Sequence, residues 1–120
     1  LLMLACDVGF APIKSLIESA LAAEEAESIT LHWLATRADG HYLANQCRAW
    51  AEALDHFHYR LHTAKEAAAG AQRLAAEVLA DGAWRDCELY VAGPANFVEA
   101  LEDEFVLAGA ARDRLHLLSL

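Results

Sequence analysis

Twice in this chain an apolar, strand-like run passes through a glycine turn into a helical pattern. Leu1 to Ala5 is continuously apolar and leads into Cys6-Asp7-Val8-Gly9-Phe10-Ala11-Pro12-Ile13-Lys14-Ser15. Far downstream, Leu89-Tyr90-Val91-Ala92 leads into Gly93-Pro94. A strand that turns sharply through glycine into a helix is how a backbone presents N–H groups to a phosphate. Two such turns in 120 residues predict a parallel sheet with a ligand at the carboxyl ends of its strands.

The segments between follow the same plan. Leu1 to Ala5 reads as a fully buried strand. Pro12 stands early in the next helix, where a missing N–H costs nothing. Ile13, Leu16, Ile17, Ala20 and Leu21 recur at helical spacing, and Glu24, Glu25 and Glu27 mark the end. Ser28 to Ala35 is a second strand, rich in β-branched and aromatic residues. Thr36 to His41 is a loop, and Tyr42 to Leu54 a helix through Leu43, Cys47, Trp50 and Leu54. Phe57 to His62 alternates, with Phe57, Tyr59 and Leu61 on one side and His58, Arg60 and His62 on a wet face, the pattern of an edge strand.

Thr63 to Gly70 reads as a connection and Ala71 to Ala80 as a helix ending at Asp81-Gly82. Cys87 to Ala92 is the fourth strand. Pro94 to Leu107 is a helix with Phe97, Val98, Leu101, Phe105 and Val106 on one side, stopped at Ala108-Gly109. Arg114 to Leu120 is the last strand. The alternation predicts an α/β fold: a three-layer α/β/α, Rossmann-like, doubly wound parallel sheet.

Residues 1–120 read as one domain. The 57% hydrophobic content supports a packed core and argues against disorder. No apolar run approaches the roughly 20 residues that span a bilayer, and no basic stretch precedes the apolar start as in a signal peptide. A net charge of −9 disfavours nucleic acid and anionic membranes as partners. Cys6, Cys47 and Cys87 lack zinc-ligand spacing, and their odd number fits a reducing cytoplasm. The start inside a strand is expected of a domain cut from a longer protein.

Four stretches, in register, carry a resemblance. Phe10-Ala11-Pro12-Ile13-Lys14-Ser15 resembles the end of a G-G-T-G-[ILF]-A-P-x-x-S turn. Leu31-His32-Trp33-Leu34-Ala35-Thr36-Arg37 resembles L-Y-W-G-x-R. Tyr90-Val91-Ala92-Gly93-Pro94-Ala95-Asn96-Phe97-Val98 resembles Y-x-C-G-P-x-x-M-[VI], and Gly109 through Arg114 and Leu115 resembles G-[LV]-x-x-[DE]-R-[IF]. These are the patterns of the NAD(P)-binding domain of ferredoxin–NADP reductase-like flavoproteins, with a special similarity to the oxygenase-reductase and deoxyhexose-reductase branch.

The resemblance implies a five-stranded sheet of order 3-2-1-4-5 that binds NAD(P)H. It implies hydride delivery to FAD or FMN on a flavin-binding domain, whose R-x-Y-S/T signature these residues lack. Electrons would pass on to an iron–sulfur partner such as a ferredoxin, or to an oxygenase. By the same resemblance, Val8, Gly9, Phe10, Ala11, Pro12 and Ser15 form the diphosphate turn, Thr36 and Arg37 meet the adenosine end, and Ala92, Gly93, Pro94 and Asn96 border the nicotinamide. Arg37 leans toward a 2′-phosphate and Asp39 toward a free ribose hydroxyl. No residue stands out as a general acid or base, and direct hydride transfer needs none.

The chain departs from these patterns at three points. Cys6 and Asp7 replace two glycines, so a carboxylate is expected near the diphosphate. Ala92 replaces the cysteine beside the nicotinamide. Leu34 replaces a glycine and is expected to bring bulk to a strand end near the ligand. These departures suit a rival reading, a noncatalytic nucleotide-fold module acting in protein interaction or regulation. His56, His58 and His62 share a face with the spacing of metal ligands, but with Arg60 between them they read as polar surface. Cys6 at a helix start reads as a buried thiol, with a reactive one as the alternative.

Overall fold

The computed structural model describes residues 1–24 and 28–120, so Glu25 and Glu27 of the acidic cluster lie outside the described residues. Five strands, β1 (Leu2–Cys6), β2 (Ile29–Ala35), β3 (Phe57–Thr63), β4 (Leu89–Gly93) and β5 (Leu115–Ser119), form one parallel sheet of order β3-β2-β1-β4-β5. Four helices connect them: α1 (Phe10–Ala23), α2 (Ala44–Ala53), α3 (Ala67–Asp81) and α4 (Ala95–Leu107). The expected architecture and strand order are those observed.

The sheet divides the core in two. On one face α1 and α2 cover Met3, Ala5, Ile29, Leu31, Trp33, Phe57 and Ala92. On the other, α3 and α4 cover Leu2, Leu4, Cys6, Leu34, Leu89 and Val91. Alternate residues of each central strand therefore feed opposite cores, which explains why β1 is apolar throughout. Helix α1 commits Phe10, Ile13 and Ile17 to its face, one turn apart, each contributing about 1.5–3 kcal/mol by burial.

Two expectations about the α3 region change. Helix α3 begins at Ala67, inside the stretch from Thr63 to Gly70 read as a connection. Gly70, the last residue of that stretch, is a packing residue inside the helix: a Cβ there would lie 2.6 Å from Leu34 Cδ2. Leu34 thus points into the α3 core and is fully buried; it does not project into the strand-end crevice. In β3, Leu61 is 41% exposed, whereas the His62 side chain is only 10% exposed. The wet face stops at His62 because His62 bonds to His32 of β2.

Helix α3 ends at Gly82, whose φ of 78° supplies the left-handed turn that stops it. Among the described residues, no helix is long and apolar enough to cross a membrane.

Candidate functional site

β1 is the point at which the strand order reverses, with β2 on one side and β4 on the other. Ligands of open α/β sheets bind outside the carboxyl ends of the strands at that point. Both glycine turns lie there and touch. After β1, Asp7–Gly9 makes a 3-10 turn that runs straight into α1. Gly9 is seated on β4, where a Cβ would come within 2.2 Å of the Ala92 carbonyl oxygen and 2.9 Å of Gly93 Cα. Gly93 in turn lies against β1, its notional Cβ 2.9 Å from Cys6 Cβ. The two turns thus form one rim, with Val8 and Gly9 opening the helical run, where amides have no partner within the helix.

The other side of β1 is locked by Asp7. Its φ of 50° is a left-handed conformation that a non-glycine residue rarely adopts. The carboxylate is buried and turned toward β2, where it accepts the Thr36 amide at 2.9 Å and the Thr36 hydroxyl. Trp33 Nε1 donates to the Asp7 carbonyl at 3.1 Å. Gly40 closes over the same carboxylate, since a Cβ there would lie 2.5 Å from Asp7 Oδ1. The charge expected to face the diphosphate is therefore drawn sideways to the end of β2.

The residues expected at the site separate into an open set and a buried set. Val8, Ala11, Ser15, Arg37 and Asn96 are exposed, and Pro12, Thr36 and Pro94 are half-buried. Ala11 and Ser15 stand one turn apart on the same open face of α1. Gly9, Ala92 and Gly93 are buried and shape the rim by their backbone. The Phe10 side chain is fully buried, stacked on Trp33 at 4.0 Å between ring centroids. The Ala92 side chain belongs to the core under α1. Arg37 Nε lies 3.7 Å from Asp39 Oδ1, so the two residues that pointed to opposite cofactors are one exposed pair. The Asn96 side-chain oxygen accepts the Phe97 amide at 3.0 Å, bracing the first turn of α4.

Cys6 is a fully buried thiol, and burial, with the Asp7 charge and hydrogen bond adding to it, pushes it up to about 12. Among the described residues no three His, Cys, Asp or Glu side chains gather as a metal site. The histidine that pattern reading missed is His32. It is buried in β2, with its Nδ1 3.0 Å from His62 Nε2. A polar residue in the otherwise apolar run from Leu31 to Ala35 was the available signal, but its partner depends on strand register. Burial, then His62 and Arg60, lower His32 to about 4. A cleft of about 410 Å³ borders His32 together with Arg60, Glu77, Asp81 and Trp84. It lies toward the amino ends of the strands, away from the glycine turns.

Residues 3–103 match the family described as the oxidoreductase NAD-binding domain. No curated protein matches the chain in sequence. Several solved structures share the fold. Ferredoxin-NADP+ reductase from Plasmodium falciparum superposes with a TM-score of 0.81 at 14% identity, over 100% of this chain and 51% of that one. The flavohem-like FAD/NAD binding domain of nitric oxide dioxygenase from Vibrio cholerae gives 0.74 at 14% identity, over 99% of this chain and 50% of that one. The CS-b5R domains of human Ncb5or, in the NAD+ form, give 0.77 at 17% identity, over 97% and 35%. The chain therefore spans about half the length of the first two. With the family matched along most of its length and the strand order and glycine rim in place, the chain belongs to the oxidoreductase NAD-binding domain family.

Proposed function

We propose that this chain binds NAD(P)H at the rim between β1 and β4 and holds the nicotinamide toward FAD or FMN on a separate flavin-binding domain. The cofactor supplies a hydride, and the flavin accepts it. Electrons then pass to an iron–sulfur protein such as a ferredoxin, or to an oxygenase. The observation that carries this reading is the seating of Gly9 on Ala92 and Gly93. It joins two distant turns into one continuous rim at the carboxyl ends of β1 and β4, the place at which a dinucleotide backbone would lie in an open α/β sheet.

The residues present suit that ligand. The amides of Val8 and Gly9 and the positive end of α1 face the diphosphate. Ala11 and Ser15 leave the approach along α1 open. Thr36 and Arg37 stand at the adenosine end, and Gly93, Pro94 and Asn96 border the nicotinamide. The open rim beside Pro94 is where the flavin domain would close and exclude water. That a partner domain supplies the flavin accords with the solved neighbours, whose chains are about twice as long.

Titration of the isotope-labelled chain with NADH and NADPH tests the reading. Shifts in the amides of Val8, Gly9, Ala11, Thr36, Gly93 and Asn96 are expected. Saturation absent at millimolar nucleotide, or shifts confined to the cleft around Arg60 and Trp84, would overturn it in favour of the noncatalytic module.

A further inference from the structure

The geometry points to a choice between the two dinucleotides: Asp7, acting through Thr36, makes this rim accept NADH and reject NADPH. This rests on the reading of the rim as a dinucleotide site and narrows it to the cofactor lacking the 2′-phosphate.

In doubly wound sheets the end of the second strand meets the adenosine ribose. An acid there accepts the 2′-hydroxyl, whereas a nearby arginine accommodates a 2′-phosphate. β2 here ends at Ala35 and supplies no acid of its own in the next two positions, Thr36 and Arg37. The acid comes instead from the turn after β1. Asp7 accepts both the amide and the hydroxyl of Thr36, which fixes a carboxylate at the end of β2. The Thr36 hydroxyl spends its only proton on that carboxylate, and its oxygen is left as an acceptor. A ribose 2′-hydroxyl can donate to it. A 2′-phosphate dianion brings only acceptor oxygens, and meets both the lone pairs of Thr36 and the charge of Asp7 behind them.

Arg37 does not reverse this. It is exposed and lies 3.7 Å from Asp39, which offsets its charge. The groups named at this strand end are thus Asp7, Asp39 and Arg37, an excess of negative charge.

Asp7 is accordingly a positioning residue, and the test must read selectivity as well as binding. Calorimetric titration of the chain with NADH and NADPH should give at least about tenfold tighter binding of NADH, the scale of one unfavourable charge contact of about 1.4 kcal/mol. Thr36→Ser keeps the hydroxyl and should keep the ratio. Thr36→Val and Asp7→Asn should bring it toward one, each checked for an unchanged circular dichroism spectrum. If Asp7→Asn fails to fold, the comparison of Thr36→Ser with Thr36→Val decides the matter. Equal affinities, a preference for NADPH, or a ratio unchanged in Thr36→Val would overturn the selectivity while leaving the dinucleotide site standing. Failure of both nucleotides to bind would overturn the site itself and this inference with it.

Discussion

The Asp7 carboxylate, at the end of β1, holds the backbone amide of Thr36 at the end of β2 over a distance of 2.9 Å. The same residue has a φ of 50°. A favourable tertiary bond and an unfavourable backbone conformation therefore coexist in one position. Asp7→Ala keeps the left-handed backbone and leaves the Thr36 amide without its acceptor, at a cost of about 2 kcal/mol or more. Asp7→Gly loses the same bonds but relieves about 1 kcal/mol of strain. Urea denaturation should therefore rank wild type above Asp7→Gly, and Asp7→Gly above Asp7→Ala. Equal midpoints for the two variants would show that the backbone at position 7 carries no strain.

The two rim glycines should differ in their tolerance of a methyl group. At Gly9 a Cβ would fall 2.2 Å from a backbone oxygen of β4, a neighbour held in the sheet ladder. At Gly93 the contacts would be the Cβ of Cys6 at 2.9 Å and a ring carbon of Phe97 at 3.0 Å. Gly9→Ala should cost about 3 kcal/mol or more, or abolish folding, and Gly93→Ala about 1–2 kcal/mol. Thermal melts of the two variants check the order. A Gly9→Ala protein as stable as wild type would contradict the close seating of the two turns.

The sequence made the sheet legible because β1 and β4 are apolar on both faces and each ends in a glycine turn. Those signals are local, and the turns they mark do meet in the structure. What could not be read was anything that depends on register. Asp7 looked like a charge aimed at a diphosphate, because the chain alone does not show that Thr36, 29 residues away, offers it two donors. Leu34 looks like a plug because nothing local couples it to Gly70, and the start of α3 from Ala67 to Gly70 reads as part of a connection for the same reason. Phe10 sits inside the turn motif, so its backbone lies at the site while its ring belongs to the core. The direction of a side chain at a strand-to-helix junction is set by tertiary packing, which a linear pattern does not contain.

Phe10 makes that distinction measurable. Its ring stacks on Trp33 and lies near Trp50 and Tyr42, in the core under α1. Phe10→Ala should cost about 3–5 kcal/mol and alter tryptophan fluorescence as Trp33 loses its stacking partner. Phe10→Leu, which refills most of the volume, should recover most of the loss and leave nucleotide affinity within about twofold, a difference of about 0.4 kcal/mol. A large loss of affinity in a well-folded Phe10→Leu protein would show that the ring, and not only the backbone, contributes to the site.

The pair formed by His32 and His62 gives the fold a dependence on mildly acidic pH. The two rings share one hydrogen bond, so protonating both would place two donors face to face at 3.0 Å. Burial first, then His62 and Arg60, depress His32 from 6.5 to about 4, with Asp81 opposing. Burial first, then Arg60, Arg73 and His41, also depress His62. Both histidines therefore take up protons more readily in the unfolded chain than in the folded one. Stability is full above pH 6.5 and falls as pH drops from 6.5 toward 4. For His32 alone the loss between pH 7.5 and 5 is roughly 1.5–2 kcal/mol, and His62 adds in the same direction. Urea midpoints measured at intervals across that range should fall with pH, at pH values where ordinary carboxylates remain charged. His32→Gln, which removes the titrating ring but keeps a partner for His62, should flatten the profile. A wild-type profile already flat between pH 7.5 and 5 would show that the pair protonates as freely in the folded chain as in the unfolded one.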